Sequence, residues 1–358
     1  MNRILIFVLT VSIYCCAPQQ SEQSNADNST MASTEPNYKE VVCFVYHRFG
    51  DNRFPTTNIS INDFEEHLMW LTDHHYQVLS LSDAIDYLSN NTPVKKTAVI
   101  SIDDGYKSFF NNGLPLLRQY KFPATLFINT ETVGAGDYMD WQQLKEATEQ
   151  KIEIGNHTHT HDYFLNRPPN VRYSDFENDL KSAQQLIKEK LGITSKVFAY
   201  PYGEFDKKMK TIVKSNGFQG AAAQNSGVMN SITDKYQIPR FPMSEHYAKM
   251  FYEKASMQSL KVIKKSPEEN LIPNSTNKPL LTLTIDTKGL LMNQLQCFVQ
   301  GGDCKINILN HNDRQMELTL QSMSDLTQRR RTLYTLTAPD SAGNWYWFSH
   351  LWVNPSVK

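Results

Sequence analysis

From Tyr38 to Tyr252 short apolar, β-prone runs alternate with stretches of helical spacing, and that alternation leaves few folds open to the chain. The runs fall at residues 41–45, 77–81, 98–102, 124–128, 152–154, 197–200, 220–223 and 238–241. Between them, Phe64, Leu68 and Leu71 recur at helical spacing behind Ser60 and Asn62, and residues 83–88 and 173–191 carry the same period. Strands that alternate with helices pair in parallel, because each helical crossover returns the chain to the same end of the sheet. About seven such units are enough to close a distorted (β/α) barrel, whose functional groups collect at the carboxyl ends of its strands. The expected barrel spans residues 38–265.

After the barrel, residues 266–279 (SPEENLIPNSTNKP) read as a linker. In residues 280–358 the period changes to two, with Leu281, Leu283 and Ile285 alternating with polar residues and turn signals such as GGD, NHND and PDSAGN between runs. A small all-β sandwich domain is expected there. Its Trp345, Trp347 and Trp352 are either a sugar-stacking face or core residues. Cys297 and Cys304 flank a Gly-Gly turn and either close a hairpin disulfide or are a chance pair, whereas Cys43 sits in an apolar run as a small buried hydrophobe.

Residues 1–16 place Arg3 before an apolar run that stops at Cys15 and Cys16, the pattern of an export signal too short to span a bilayer. A cysteine there, followed by a polar tail, resembles a bacterial lipoprotein signal, with Cys16 the expected lipidated residue and Cys15 the alternative. Residues 17–37, rich in Ser, Asn, Gln and Thr, cannot pack a core and serve as a flexible tether. The expected location is therefore exported, lipid-anchored at the cell envelope, in the bacterial outer membrane or periplasm. With 36 basic and 37 acidic residues the chain has no electrostatic footprint for nucleic acid or for an anionic membrane surface.

Two stretches carry chemistry. The run 98–102 ends in adjacent carboxylates, Asp103 and Asp104, followed by Gly105. Like charges side by side repel unless a cation lies between them or one takes a proton, so the pair serves an ion or proton transfer; the alternative is a helix-capping aspartate. The run 152–154 leads into His157, His159 and His161. Two of these three can converge on one ion across a turn after Gly155; a solvated histidine-rich loop is the plainer alternative. A zincin helix is disfavoured, because Thr158 stands where HExxH needs its glutamate.

SIDDG, HTHTH and FAYPYGEFD stand in this order, each after an expected strand. With them the chain resembles the NodB-type polysaccharide deacetylases, the family 4 carbohydrate esterases, whose first two motifs read TFDDG and H-[ST]-x-x-H. It departs in having Ala199 where the third motif normally carries arginine, and in lacking the LxLH motif at the barrel's end. Both departures resemble the permuted branch that includes the poly-β-1,6-N-acetylglucosamine deacetylases, where the first strand supplies the last histidine; here CFVYHRFGD offers His47. The resemblance implies a divalent metal on Asp104, His157 and His161, zinc first and cobalt or nickel as alternatives. It implies Asp103 as general base, His47 as general acid and the backbone N–H of Tyr202 as oxyanion donor. Arg240 is a candidate for the missing cation beside the base; a surface role is the alternative. The implied reaction removes N-acetyl groups from an amino-sugar polymer. Peptidoglycan, chitin-like chains, acetylated xylan, or a non-catalytic glycan-binding role are the other expectations.

Overall fold

The computed structural model describes residues 38–357; the expected signal and tether lie outside the described residues. Ser60 and Ser80 turn their hydroxyls onto the backbone N–H groups of Asp63 and Asp83 and start the helices Ile61–Asp73 and Leu81–Ser89. Asp140 and Gln143 form a reciprocal capping box at the head of Trp141–Glu149. Asp206 caps Lys207–Ser215 through the Met209 N–H.

The main sheet contains β1 (Glu40–Tyr46); β2 (Arg48–Phe49) and β3 (Asn58–Ile59) form a small parallel pair beyond its end. It continues with β4 (Gln77–Leu79), β5 (Thr97–Ile102), β6 (Ala124–Ile128), β7 (Ile152–Asn156), β8 (Val197–Ala199) and β9 (Gly220–Ala222). The strand order β1-β5-β6-β7-β8-β9 is parallel throughout, with β4 parallel to the first half of β5. Every residue of β5 and β6 is buried, as expected for a parallel sheet covered on both faces. Alternation along β1 sends Val42, Phe44 and Tyr46 into one core cluster and Val41 and Cys43 into another.

The free edge of β1 is taken by two short strands, antiparallel β10 (Val228–Asn230) and parallel β11 (Phe241–Pro242). Just before β11, Ile238 bridges in parallel to Ala222 at the opposite edge of the sheet. The segment 238–242 therefore ties β9 to β1 and curls the sheet into the expected distorted barrel. Arg240 lies on this tie.

The all-β region begins earlier than expected. β12 (Gln258–Ser259) pairs with β19 (Trp345–Val353), and β13 (Val262–Ser266) pairs with β14 (Leu280–Asp286). With β15 (Gln296–Val299), β16 (Cys304–His311), β17 (Gln315–Ser322) and β18 (Arg331–Pro339) these make two four-stranded sheets, β12-β19-β18-β15 and β13-β14-β17-β16. Their shared core holds Leu281, Leu283, Ile285, Leu318, Leu320 and Trp352. Cys297 and Cys304 are disulfide-bonded, and Cys43 is a buried free thiol.

The sandwich is not a detached module. Leu351 and Val353 of β19 belong to the same cluster as Phe198, Tyr200 and Phe205 of the barrel, and Trp345 and Trp347 pack against the main barrel core. The tryptophans divide: Trp352 is wholly buried as a core residue, whereas Trp345 and Trp347 are half-buried, and Trp347, with Lys254 Nζ 4.0 Å from its ring centre, lines a groove between the barrel and the C-terminal sheets.

Candidate active site

Each chemical stretch leaves the carboxyl end of a barrel strand: His47 after β1, Asp103 and Asp104 after β5, His157 after β7, and the Pro201–Gly203 turn after β8. The backbone there is strained. Asp104, Thr158, His161 and Tyr202 have φ of 74°, 68°, 54° and 58°. The left-handed region costs an L-residue roughly 1–2 kcal/mol, and such residues persist where their surroundings fix them, typically at functional sites. The expected turn after Gly155 begins one residue later than the glycine itself. Gly155 stays inside β7, where a Cβ would collide with the Phe127 ring, and the chain turns after Asn156.

That turn sorts the three histidines. Thr158 and His161 adopt positive φ, so the segment is not extended and its histidines do not share a face. His159 turns away to pair Nδ1 with the Thr130 hydroxyl at 2.8 Å. His157 and His161 bring their Nε2 atoms within 3.1 Å of each other, and Asp104 Oδ1 lies 3.6 Å from both. The His157 Nδ1 faces the Ala199 carbonyl at 2.8 Å. A carbonyl only accepts, so Nδ1 carries a proton and Nε2 is the nitrogen turned into the cluster. Burial lowers the His161 pKa to about 4, His157 acting the same way and Asp104 against it, so His161 is neutral at neutral pH. The three donor atoms lie within 4.8 Å of one another. One oxygen and two imidazole nitrogens at these separations fit a divalent ion with ligand bonds of about 2.0–2.2 Å. The anchored Nδ1–H of His157 is the kind of outer contact that orients a metal-binding imidazole.

Asp103 points elsewhere. It is fully buried, and Arg240 grips it with two bonds, Nη1 to Oδ1 at 2.7 Å and Nη2 to Oδ2 at 2.8 Å. Arg240 is itself fully buried and donates through Nε to the Ala223 carbonyl and through Nη1 to the Ser101 hydroxyl. The surface alternative for Arg240 is thereby overturned. Burial pushes the Asp103 carboxyl up, but the Arg240 charge, helped by His157 and His47, outweighs it and holds the group well below the usual carboxylate range. His47 is half-buried and lies within electrostatic reach of both Asp103 and His161.

Tyr202 sits in the left-handed position of the Pro-Tyr-Gly turn, its ring stacked on Tyr163 at 3.7 Å and 4.5 Å from the His161 ring. Two arginines of the C-terminal sheets hold this turn. Arg331 Nη1 donates to the Tyr202 carbonyl at 2.9 Å, and Arg330 binds both oxygens of buried Glu204 at 2.7 Å each. Nothing in the local sequence pattern couples these residues, since Arg330 and Glu204 are 126 positions apart. Asp179 was also missed; it accepts the N–H groups of His159 and Thr160 and so fixes the histidine loop.

Residues 90–221 match the polysaccharide deacetylase family model. The chain is 24% identical over 226 residues to a putative polysaccharide deacetylase, YxkH, of Bacillus subtilis, covering 63% of this chain and 78% of that protein. It is 24% identical over 205 residues to a poly-beta-1,6-N-acetyl-D-glucosamine N-deacetylase of Staphylococcus epidermidis, covering 54% of this chain and 71% of that one. Among solved structures, the Streptococcus pyogenes deacetylase PplD in complex with acetate superposes with a TM-score of 0.55 at 19% identity, over 61% of this chain and 98% of that one. At that identity the superposition speaks for the fold.

Proposed function

We propose, for a chain that carries a polysaccharide deacetylase domain, metal-dependent hydrolysis of N-acetyl groups from an extracellular or cell-wall amino-sugar polymer of the poly-N-acetylglucosamine kind, releasing acetate. The observation that carries this reading is the convergence of Asp104, His157 and His161 beside the Asp103–Arg240 pair, all at strand ends on one side of the barrel. The named activity of the Staphylococcus epidermidis relative supports the choice of polymer.

A divalent ion on the triad, zinc by its donor set with cobalt or nickel as alternatives, would supply Lewis acidity toward the acetyl carbonyl and a more acidic water. Asp103, kept ionised by Arg240, takes the proton of the attacking water. The Tyr202 backbone N–H donates to the acetyl oxygen as negative charge develops there. His47 gives its proton to the departing nitrogen. Water and amide become acetate and a free sugar amine.

Acetate release is the test. Release from poly-β-1,6-N-acetylglucosamine should stop with a metal chelator and return with added zinc; chelator-insensitive release, or none from this polymer, overturns the reading. Peptidoglycan, chitin oligomers and acetylated xylan run in parallel identify another polymer if one is preferred. The proposal includes export and anchoring through a lipid on Cys16, from the signal-like residues 1–16. Cys16→Ser should move the protein from the membrane fraction to the soluble one, and unchanged fractionation would defeat the anchor.

A further inference from the structure

A groove of about 550 Å³ runs between the barrel and the C-terminal sheets. Two of its wall residues contact the surroundings of the candidate active site. Met243 in its wall donates its N–H to the Val45 carbonyl, two residues before His47, and Arg331 in its opposite wall donates to the Tyr202 carbonyl. The groove therefore lies beside the end of β1, which leads into His47, and beside the turn that carries Tyr202, although neither residue lines it. Because His47 protonates the departing nitrogen, the sugar that carries that nitrogen lies on this side, and the next units of its chain extend along the groove.

The lining suits sugar rings of a particular charge. Tyr247 and Met250 are 37% and 40% exposed there and offer apolar faces for ring C–H groups, with Gln224 and Gln300 as polar partners. Lys254, Arg329, Arg330 and Arg331 all line the groove and no carboxylate does. Glu204 behind it engages Arg330 and Arg331. Among the described residues Arg329 forms no ion pair, its guanidinium resting beside Gly301. In a chain whose basic and acidic residues nearly balance, this is a local concentration of positive charge.

We propose that this groove is a subsite for the sugar units next to the reacting one, that it accepts N-acetylated units, and that it rejects units whose amine has been freed. The proposal rests on the deacetylase reading and deepens it. An acetamido group is neutral, whereas the freed amine is protonated in neutral solution and meets Arg329 together with Lys254, Arg330 and Arg331, whose carboxylate partners Glu253 and Glu204 stand behind the lining and offset their charge only in part. Deacetylation would then be spaced along the polymer, because a unit already processed seats poorly beside the site.

The test measures binding and turnover together. Equilibrium dialysis of the full protein is run with a β-1,6-linked N-acetylglucosamine pentamer and with the same pentamer after chemical N-deacetylation, at low and at high salt. The deacetylated pentamer should bind roughly three- to tenfold more weakly at low salt, as expected for a few partly screened charges, and the difference should shrink in high salt. Arg329→Glu, at an exposed and unpaired position, should narrow or invert the preference; Arg329→Gln should narrow it less. Equal binding of the two pentamers, or a preference that neither salt nor Arg329→Glu changes, overturns the proposal. Acetate release assayed alongside separates the two readings: release with equal binding defeats the groove alone, and discrimination without release supports the groove and defeats the deacetylase reading alone.

Discussion

Asp104→Ala should lose its bound metal, whereas Asp103→Asn should keep it and lose turnover by roughly two orders of magnitude or more, the usual scale for a positioned acid or base. The two carboxylates are adjacent in sequence but face different partners. Asp104 Oδ1 stands 3.6 Å from both histidine Nε2 atoms, while both oxygens of Asp103 are taken by Arg240. Removing Asp104 leaves two imidazoles, too few to hold a divalent ion firmly at neutral pH. Asp103→Asn keeps the shape and one accepting oxygen but cannot take a proton; it also leaves Arg240 without its counter-charge, so metal stoichiometry is to be measured on the folded fraction. His47→Ala should likewise retain metal and lose rate. Its penalty should shrink on an activated aryl acetate, whose leaving group needs no proton, while the Asp103→Asn penalty should persist on both substrates. Equal metal loss in Asp103→Asn and Asp104→Ala would show that the division of labour between them is wrong.

How much of this site could be read in the sequence depended on how local each cause was. The parallel strands were legible because each is a short, predominantly apolar run set off by stretches of helical spacing, as at 98–102 and 124–128. Asp103, Asp104, His157 and His47 were legible because each directly follows such a run. Arg240 left a fainter trace, a single charge inside the apolar stretch IPRF, and only the closure of the sheet shows that this charge points inward. The parting of His159 from His157 and His161 was not legible, because it depends on left-handed backbone at Thr158 and His161, which neither residue type advertises. The early start of the all-β region was hidden for another reason. Val262–Ser266 is largely exposed and lysine-rich, and its pairing to β14 spans the segment that reads as a linker. The hold of Arg330 and Arg331 on the Tyr202 turn joins two parts of the chain with different periods, so no pattern within either part could announce it.

Arg240→Met should be the most destabilising single change at the site, by about 3–5 kcal/mol, the scale for stripping one partner from a buried ion pair. Arg240 and Asp103 are both fully shielded from solvent, and water cannot replace the lost contacts. The substitution leaves the carboxylate without a counter-charge and the Ala223 carbonyl and Ser101 hydroxyl without their donor. Activity should fall along with stability, because a carboxyl in an apolar surround without the guanidinium favours its neutral form and no longer accepts a proton from water. Thermal melting and acetate release on the single variants and on Asp103→Asn/Arg240→Met separate the two effects. With both charges gone the double variant should recover much of the stability lost by Arg240→Met, since replacing both members of a buried pair costs far less than orphaning one. It should recover none of the turnover, because the base is absent. If Arg240→Met instead melts and turns over like the parent, the guanidinium neither holds the fold nor sets the state of Asp103. If the double variant melts as low as Arg240→Met, the loss lies in the Ala223 and Ser101 contacts rather than in an orphaned charge.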